Sequence, residues 1–195
     1  MKKLIIIFLF FSLNNILICG WKLQKSTDTY KAYTQDGESK NYKVEAVISA
    51  PIDSVYKFLT GFEKFPVYYE NIRSLKMIDM NDSIVYHYTI IKTPWPLADR
   101  DMITKIRIKK EGNSIVINSC SDSDPKFPVS DKYVRVKDFK ERLELNSVAQ
   151  NKTSMIITGS MKITEKVPAW IIDKLILSGP VKTVEILNSL YNKGD

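Results

Sequence analysis

The sequence predicts an α+β domain: a curved antiparallel β-sheet wrapped around a long C-terminal α-helix, with an internal cavity between them. Two observations carry this reading. From Ile72 to Met161 the chain is a succession of short alternating segments separated by turn residues. After Pro168 the apolar period becomes helical and stays so to Tyr191.

The first 20 residues are set aside as a secretory leader. Lys2 and Lys3 precede an apolar run from Leu4 to Leu13 broken only by Ser12, and Ile16–Cys19 and Gly20 follow. The run is too short to span a bilayer, which takes roughly 20 apolar residues, and Asn14 and Asn15 interrupt it. Export to a periplasm, cell envelope or exterior is the expectation. Cleavage after Gly20 leaves residues 21–195 as one domain. The alternative is lipoprotein anchoring through Cys19, against which the bulky Ile18 argues.

The domain holds 27 basic and 22 acidic residues, a charge of +5. Its cations are spread along the chain, and Lys105–Lys110 and Lys132–Lys140 alternate with apolar residues as wet strand faces do. This pattern argues against a nucleic-acid partner and leaves room for transient contact with an anionic membrane surface. Cys120 is the single cysteine after the leader, so no internal disulfide is expected, and a small buried apolar role suits it.

Tyr42, Val44, Ala46 and Ile48 alternate with polar residues and predict a strand. Pro51 opens a helix with Asp53 in its first turn, Ile52, Val55, Tyr56 and Leu59 at helical spacing, and Gly61 at its end. A second helical turn is expected through Phe65, before Pro66. Strands follow at Ile84–Ile91, Met102–Ile108, Ile115–Ser119, Tyr133–Lys137, Arg142–Ser147 and Thr153–Met161. Asn81-Asp82, Glu111-Gly112-Asn113, Ser121–Pro125 and Gln150-Asn151 separate them, which implies antiparallel hairpins. The last helix, about Val167 to Tyr191, would run roughly 37 Å at ~1.5 Å per residue, with a kink at Gly179-Pro180. One helix cannot fill the concave side of so large a sheet, and a cavity results.

Pro94-Trp95-Pro96 stiffens the connection before the strand that follows it. Arg100 shares parity with Met102, Thr104, Ile106 and Ile108, so a cation begins an otherwise apolar face and needs a partner there. The segment Pro94–Asp101 (PWPLADRD) resembles the corresponding loop of the START (steroidogenic acute regulatory protein-related lipid-transfer) family, within the helix-grip superfamily. Tyr133-Val134-Arg135-Val136 resembles it further, as do Pro168-Ala169-Trp170 and Pro180-Val181-Lys182-Thr183 with Leu187 in the final helix. The resemblance implies a helix-grip fold whose cavity holds a lipid or other hydrophobic small molecule, usually without catalysis and without a cofactor. Thr164-Glu165-Lys166-Val167 replaces the family's Asp-Pro-Gly segment. His87 and Ile106 stand where some sterol-binding members carry an acid–arginine pair, so sterol specificity does not carry over.

The candidate ligand-contacting residues are Trp95, Arg100, Met102, Ile106, Tyr88, His87, Tyr133, Trp170, Leu177 and Val181. Arg100 either grips an anionic head group or pairs with Asp99 or another acid to hold the loop. Trp95 is a lid or a loop anchor. His87 is a general base, a head-group contact or a structural histidine, and its direction is undecided because both faces of its strand are apolar. No catalytic motif and no Cys/His cluster is present, and Asp122-Ser123-Asp124 reads as a polar turn, not a calcium loop. The competing functions are a cyclase- or hydrolase-like enzyme acting on an apolar substrate, and an interaction module using the sheet.

Overall fold

A computed structural model describes residues 20–81, 83–163 and 168–191. The leader up to and including Cys19 and the Thr164–Val167 departure lie outside the described residues.

Three strands open the domain: β1 (Lys22–Ser26), β2 (Tyr30–Gln35) and β3 (Lys40–Ile48). Two short helices follow, α1 (Ile52–Leu59) and α2 (Phe65–Tyr68), joined by a tight turn at Phe62–Lys64. The chain then runs through β4 (Ile72–Met80), β5 (Ile84–Ile91), β6 (Arg100–Glu111), β7 (Ser114–Asp122), β8 (Val134–Arg135), β9 (Phe139–Ala149) and β10 (Lys152–Met161) before α3 (Ala169–Tyr191). These strands make one curved sheet in the order β1-β2-β3-β10-β9-β7-β6-β5-β4. All its pairings are antiparallel except that of β8, which runs parallel to β6.

Alternation decides the faces. Tyr42, Val44, Ala46 and Ile48 of β3 are buried, and Met155 and Ile157 of β10 and Leu143 and Leu145 of β9 continue the same layer. On α3, Ile176, Leu177, Pro180, Thr183, Val184 and Leu187 are buried against this layer, chiefly over β3 and β2. Polar contacts fix the helix on the strands. Glu185 accepts from Lys25 Nζ (3.0 Å) and Tyr30 Oη (2.9 Å), Asn188 donates to Thr29 Oγ1 (2.9 Å), and Lys40 pairs with Asp173 (2.7 Å). Lys40 also pairs with Asp36, joining helix and sheet edge in one network. Pro180 sits inside the helix without dividing it.

Several expectations change in detail. Pro66 lies in the first turn of α2, where a missing N–H costs nothing, and does not mark a helix end. Helix α1 closes at Thr60, whose hydroxyl and N–H both bond Tyr56 O, and Gly61 has a negative φ. Glycine is needed at Gly112, where φ is +53° in the β6–β7 turn. The strand expected at Tyr133–Lys137 shrinks to the two residues of β8. Residues 123–138 are mostly an irregular cover over the outer side of β6, and Val134 and Arg135 pair beside Arg100 and Asp101.

Candidate functional site

A cavity of about 270 Å³ lies between the inner face of the sheet and α3. Its walls are largely apolar: Leu59, Phe62 and Phe65 from the α1–α2 region, Ile72 and Leu75 of β4, and Met102 and Ile106 of β6. Ile117 of β7, Leu143 of β9, Ile157 and Met161 of β10 and Leu175, Ile176 and Pro180 of α3 complete them. A wider concavity of about 520 Å³ lies open on the outer side of β7, β9 and β10, among Asn118, Lys140, Arg142, Thr158 and Ser160. Trp21, Tyr42, Glu141 and Gly159 also border it, and it lacks an enclosed wall, so the inner cavity is the candidate site. Cys120, expected as a buried apolar residue, is half-buried in that outer groove because its parity on β7 points outward.

Arg100 begins β6 and lines the cavity at 5% exposure, with Nη1 donating to Ala98 O at 3.0 Å. Met102, Thr104 and Ile106 continue its face. Asp99 fastens the preceding loop by accepting from the Thr93 N–H (2.9 Å) and by pairing with Arg73 (2.9 Å).

His87 faces inward from β5, opposite Thr104 of β6. Its Nδ1 lies 2.9 Å from Thr89 Oγ1 and its ring centre 5.7 Å from that of Phe62. Burial pushes its pKa down to about 4, so the imidazole is neutral at ordinary pH. Among the described residues, the buried hydroxyls of Thr93 and Thr104 have no hydrogen-bond partner, and both residues line the cavity.

The other candidates sit elsewhere. Tyr88 is on the opposite side of β5 from His87, where its hydroxyl donates to Asp101 Oδ2 (2.9 Å) and its ring stacks on Phe127 at 4.6 Å. Asp101 is 1% exposed, although it shares parity on β6 with the cations Lys105 and Arg107. Arg135 reaches it through Nε (2.9 Å) and Nη2 (2.8 Å) from the covering loop. Tyr133 belongs to that outer cover and does not reach the cavity wall. Trp95 is 91% exposed, and the buried anchor of its loop is Leu97. Trp170 is 67% exposed in the first turn of α3. Leu177 and Val181 pack into the hydrophobic core but do not line the cavity, which takes Ile176, Pro180 and Thr183. One residue along a helix turns the side chain by about 100°, so the two sets occupy neighbouring faces.

A second polar point was missed in the sequence. Glu141 of β9 and Tyr42 of β3 line the cavity, and the Tyr42 hydroxyl donates to Glu141 Oε2 at 2.6 Å. Gly159 of β10 lies between them, paired with both. A Cβ there would come within 2.3 Å of the Tyr42 ring, so only glycine lets the ring cross. Burial raises the pKa of the Glu141 carboxyl, and it raises that of the Tyr42 hydroxyl well above the ordinary range. The available signal was parity: Glu141 shares a face with Leu143 and Leu145, as Gly159 does with Ile157 and Met161.

Among the described residues no cluster of His, Cys, Asp and Glu could hold a metal ion, and no helix is long and apolar enough to cross a membrane.

Comparison with known proteins agrees with this architecture. An uncharacterized protein of Pseudomonas aeruginosa is 21% identical over 185 residues, spanning 92% of this chain and 90% of that one. The steroidogenic acute regulatory protein of Xenopus laevis is 22% identical over 87% of this chain and 63% of its own length. The phosphatidylcholine transfer protein of Bos taurus is 28% identical over 44% of this chain and 42% of its own. The solved structure of a STAR-related lipid transfer protein fragment from Xanthomonas axonopodis superposes with a TM-score of 0.76 at 22% identity, covering 87% of this chain and 97% of that one. A Streptomyces aromatase/cyclase shares the fold at a TM-score of 0.57 and 7% identity, covering 76% and 91%. The sequence model of the START domain matches residues 19–192, and the chain belongs to the START domain family.

Proposed function

We propose that this protein binds and carries a lipid or other apolar small molecule in the cavity between the sheet and α3, without converting it. The observation that carries the reading is the composition of that cavity. Its wall is largely apolar, with a few polar side chains set into it, and a buried cation, Arg100, stands at the start of β6. Burying ten methylenes offers roughly 8 kcal/mol before the costs of association, more than a single head-group contact supplies. Apolar enclosure therefore sets affinity, and Arg100 sets which end of the ligand lies where. The names of the bovine and Xanthomonas relatives support a lipid as the class of cargo.

Export and a transient contact with a membrane surface complete the proposal. Exposed Trp95 and Trp170 supply apolar surface for such a contact. The enzyme reading rests on neutral His87 facing the cavity and on the fold shared with the cyclase. His87 hydrogen-bonds to Thr89, and among the described residues no carboxylate orients it as a general base.

Native mass spectrometry of residues 21–195 purified from their own host tests the proposal. The expected result is a stoichiometric adduct that extracts as one lipid class. A bare protein mass, unchanged after incubation with host lipid extract, would overturn it.

A further inference from the structure

The cavity has a second polar end, far from Arg100. Ile106 of β6 pairs with Ser119 of β7, Ser119 with Glu141 of β9, Glu141 with Gly159, and Gly159 with Tyr42. This row crosses the sheet six residues along β6 from Arg100, which is roughly 20 Å at ~3.3 Å per residue. Arg100 and Glu141 both line the cavity, so the cavity reaches from one to the other.

Around Glu141 the cavity wall is formed by Phe139, Leu143 and Met161, with Ser119 of β7 beside it. Tyr42 donates to Oε2, and the pair borders both the cavity and the outer groove. Gly159 is the structural concession that brings the pair together. A carboxyl in such surroundings is stabilised as a neutral group, able to donate and to accept.

We propose that Glu141 and Tyr42 form a recognition point for a neutral hydroxyl or carbonyl at the end of the ligand remote from Arg100. The inference rests on the carrier reading and narrows it. The cargo is elongated and apolar, with a polar or anionic group at one end and an uncharged hydrogen-bonding group at the other. A cationic terminus is disfavoured, because it would have to be desolvated together with an ionised Glu141.

Three probes test this: hexadecanoic acid, 16-hydroxyhexadecanoic acid and 16-aminohexadecanoic acid, each measured by calorimetry on the wild type and on variants. The wild type is expected to favour the hydroxy acid over the plain acid. In Glu141→Leu combined with Tyr42→Phe, the ratio of the two affinities shifts by about tenfold toward the plain acid, as an unpaired buried hydroxyl would require. Glu141→Gln, which keeps a neutral donor and acceptor, restores the preference. An unchanged ratio in the double variant overturns the proposal while leaving the carrier reading intact. Tightest binding of the amino acid overturns the neutral assignment. Failure of the wild type to bind any probe overturns this proposal, while the host-lipid adduct decides the carrier reading separately, and the thermal unfolding of each variant separates loss of a contact from loss of the fold.

Discussion

Tyr42 holds Glu141 through a 2.6 Å hydrogen bond that passes over the backbone of Gly159. Three strands thus contribute one residue each to a single polar point in an apolar wall. The absent side chain of Gly159 is as much a part of the site as the two that are present. Gly159→Ala places a methyl group 2.3 Å from the Tyr42 ring and 2.8 Å from Lys140 O, and backbone cannot move aside cheaply. The variant should lose about 2 kcal/mol or more in denaturant unfolding and should also lose the Tyr42–Glu141 contact. A variant as stable as the wild type would mean that Tyr42 has another resting position.

The Glu141 carboxyl carries a pH signature. Its pKa is raised in the folded protein by burial, against an ordinary value of 4.5. A raised folded pKa means that the group's contribution to stability is fully present below pH 4.5 and is lost as pH rises through the folded value. Glu141→Gln cannot ionise. Its stability relative to the wild type should therefore grow from pH 4.5 upward, and urea unfolding of both proteins across that range measures the difference. A difference that stays flat with pH would show that Glu141 is ionised at no cost.

On the outer side of the same sheet, Arg135 clamps Asp101 with two hydrogen bonds, and the Tyr88 hydroxyl adds a third. Arg135 also donates to Phe127 O at 3.1 Å and Pro128 O at 3.2 Å, so one side chain ties the covering loop to β6. Removing a single partner strands a buried charge, and Arg135→Met should cost about 3 kcal/mol or more. Adding Asp101→Asn should recover part of that loss, because the stranded charge goes with it. Strict additivity in this double-mutant cycle would mean that the pair is held apart in solution.

The fold was legible because its signals are periodic. Val44, Ala46 and Ile48 announce β3, and the apolar face of α3 announces the helix that closes the cavity. β1 escaped because all five of its residues are exposed and no face is apolar. β2 escaped because Ala32 and Thr34 sit at its buried positions, one small and the other polar. For the site, parity was enough within a strand: it placed Arg100, Met102 and Ile106 on the cavity face together. Parity failed for Asp101 because burial came from a covering loop that no local pattern encodes. For Trp95 the sequence left a lid and a loop anchor both open, and the structure places Leu97 as the buried residue of that loop with the tryptophan in solvent.

His87 supplies the last prediction, with the opposite sign to Glu141. Burial lowers its folded pKa to about 4 from an ordinary 6.5. Between these values the unfolded chain binds a proton that the folded protein excludes, so stability falls as pH falls from about 6.5 to about 4. The 2.5-unit gap corresponds to about 3 kcal/mol by pH 4. His87→Leu removes the titration and leaves the other groups in place. Urea unfolding of both proteins at half-unit pH steps should therefore show the wild type losing stability against the variant over that window and holding level with it above pH 7. Parallel curves from pH 7 to pH 4 would mean that the ring opens to water and takes its proton inside the folded protein, and a cavity wet at His87 would weaken the case for an apolar cargo there.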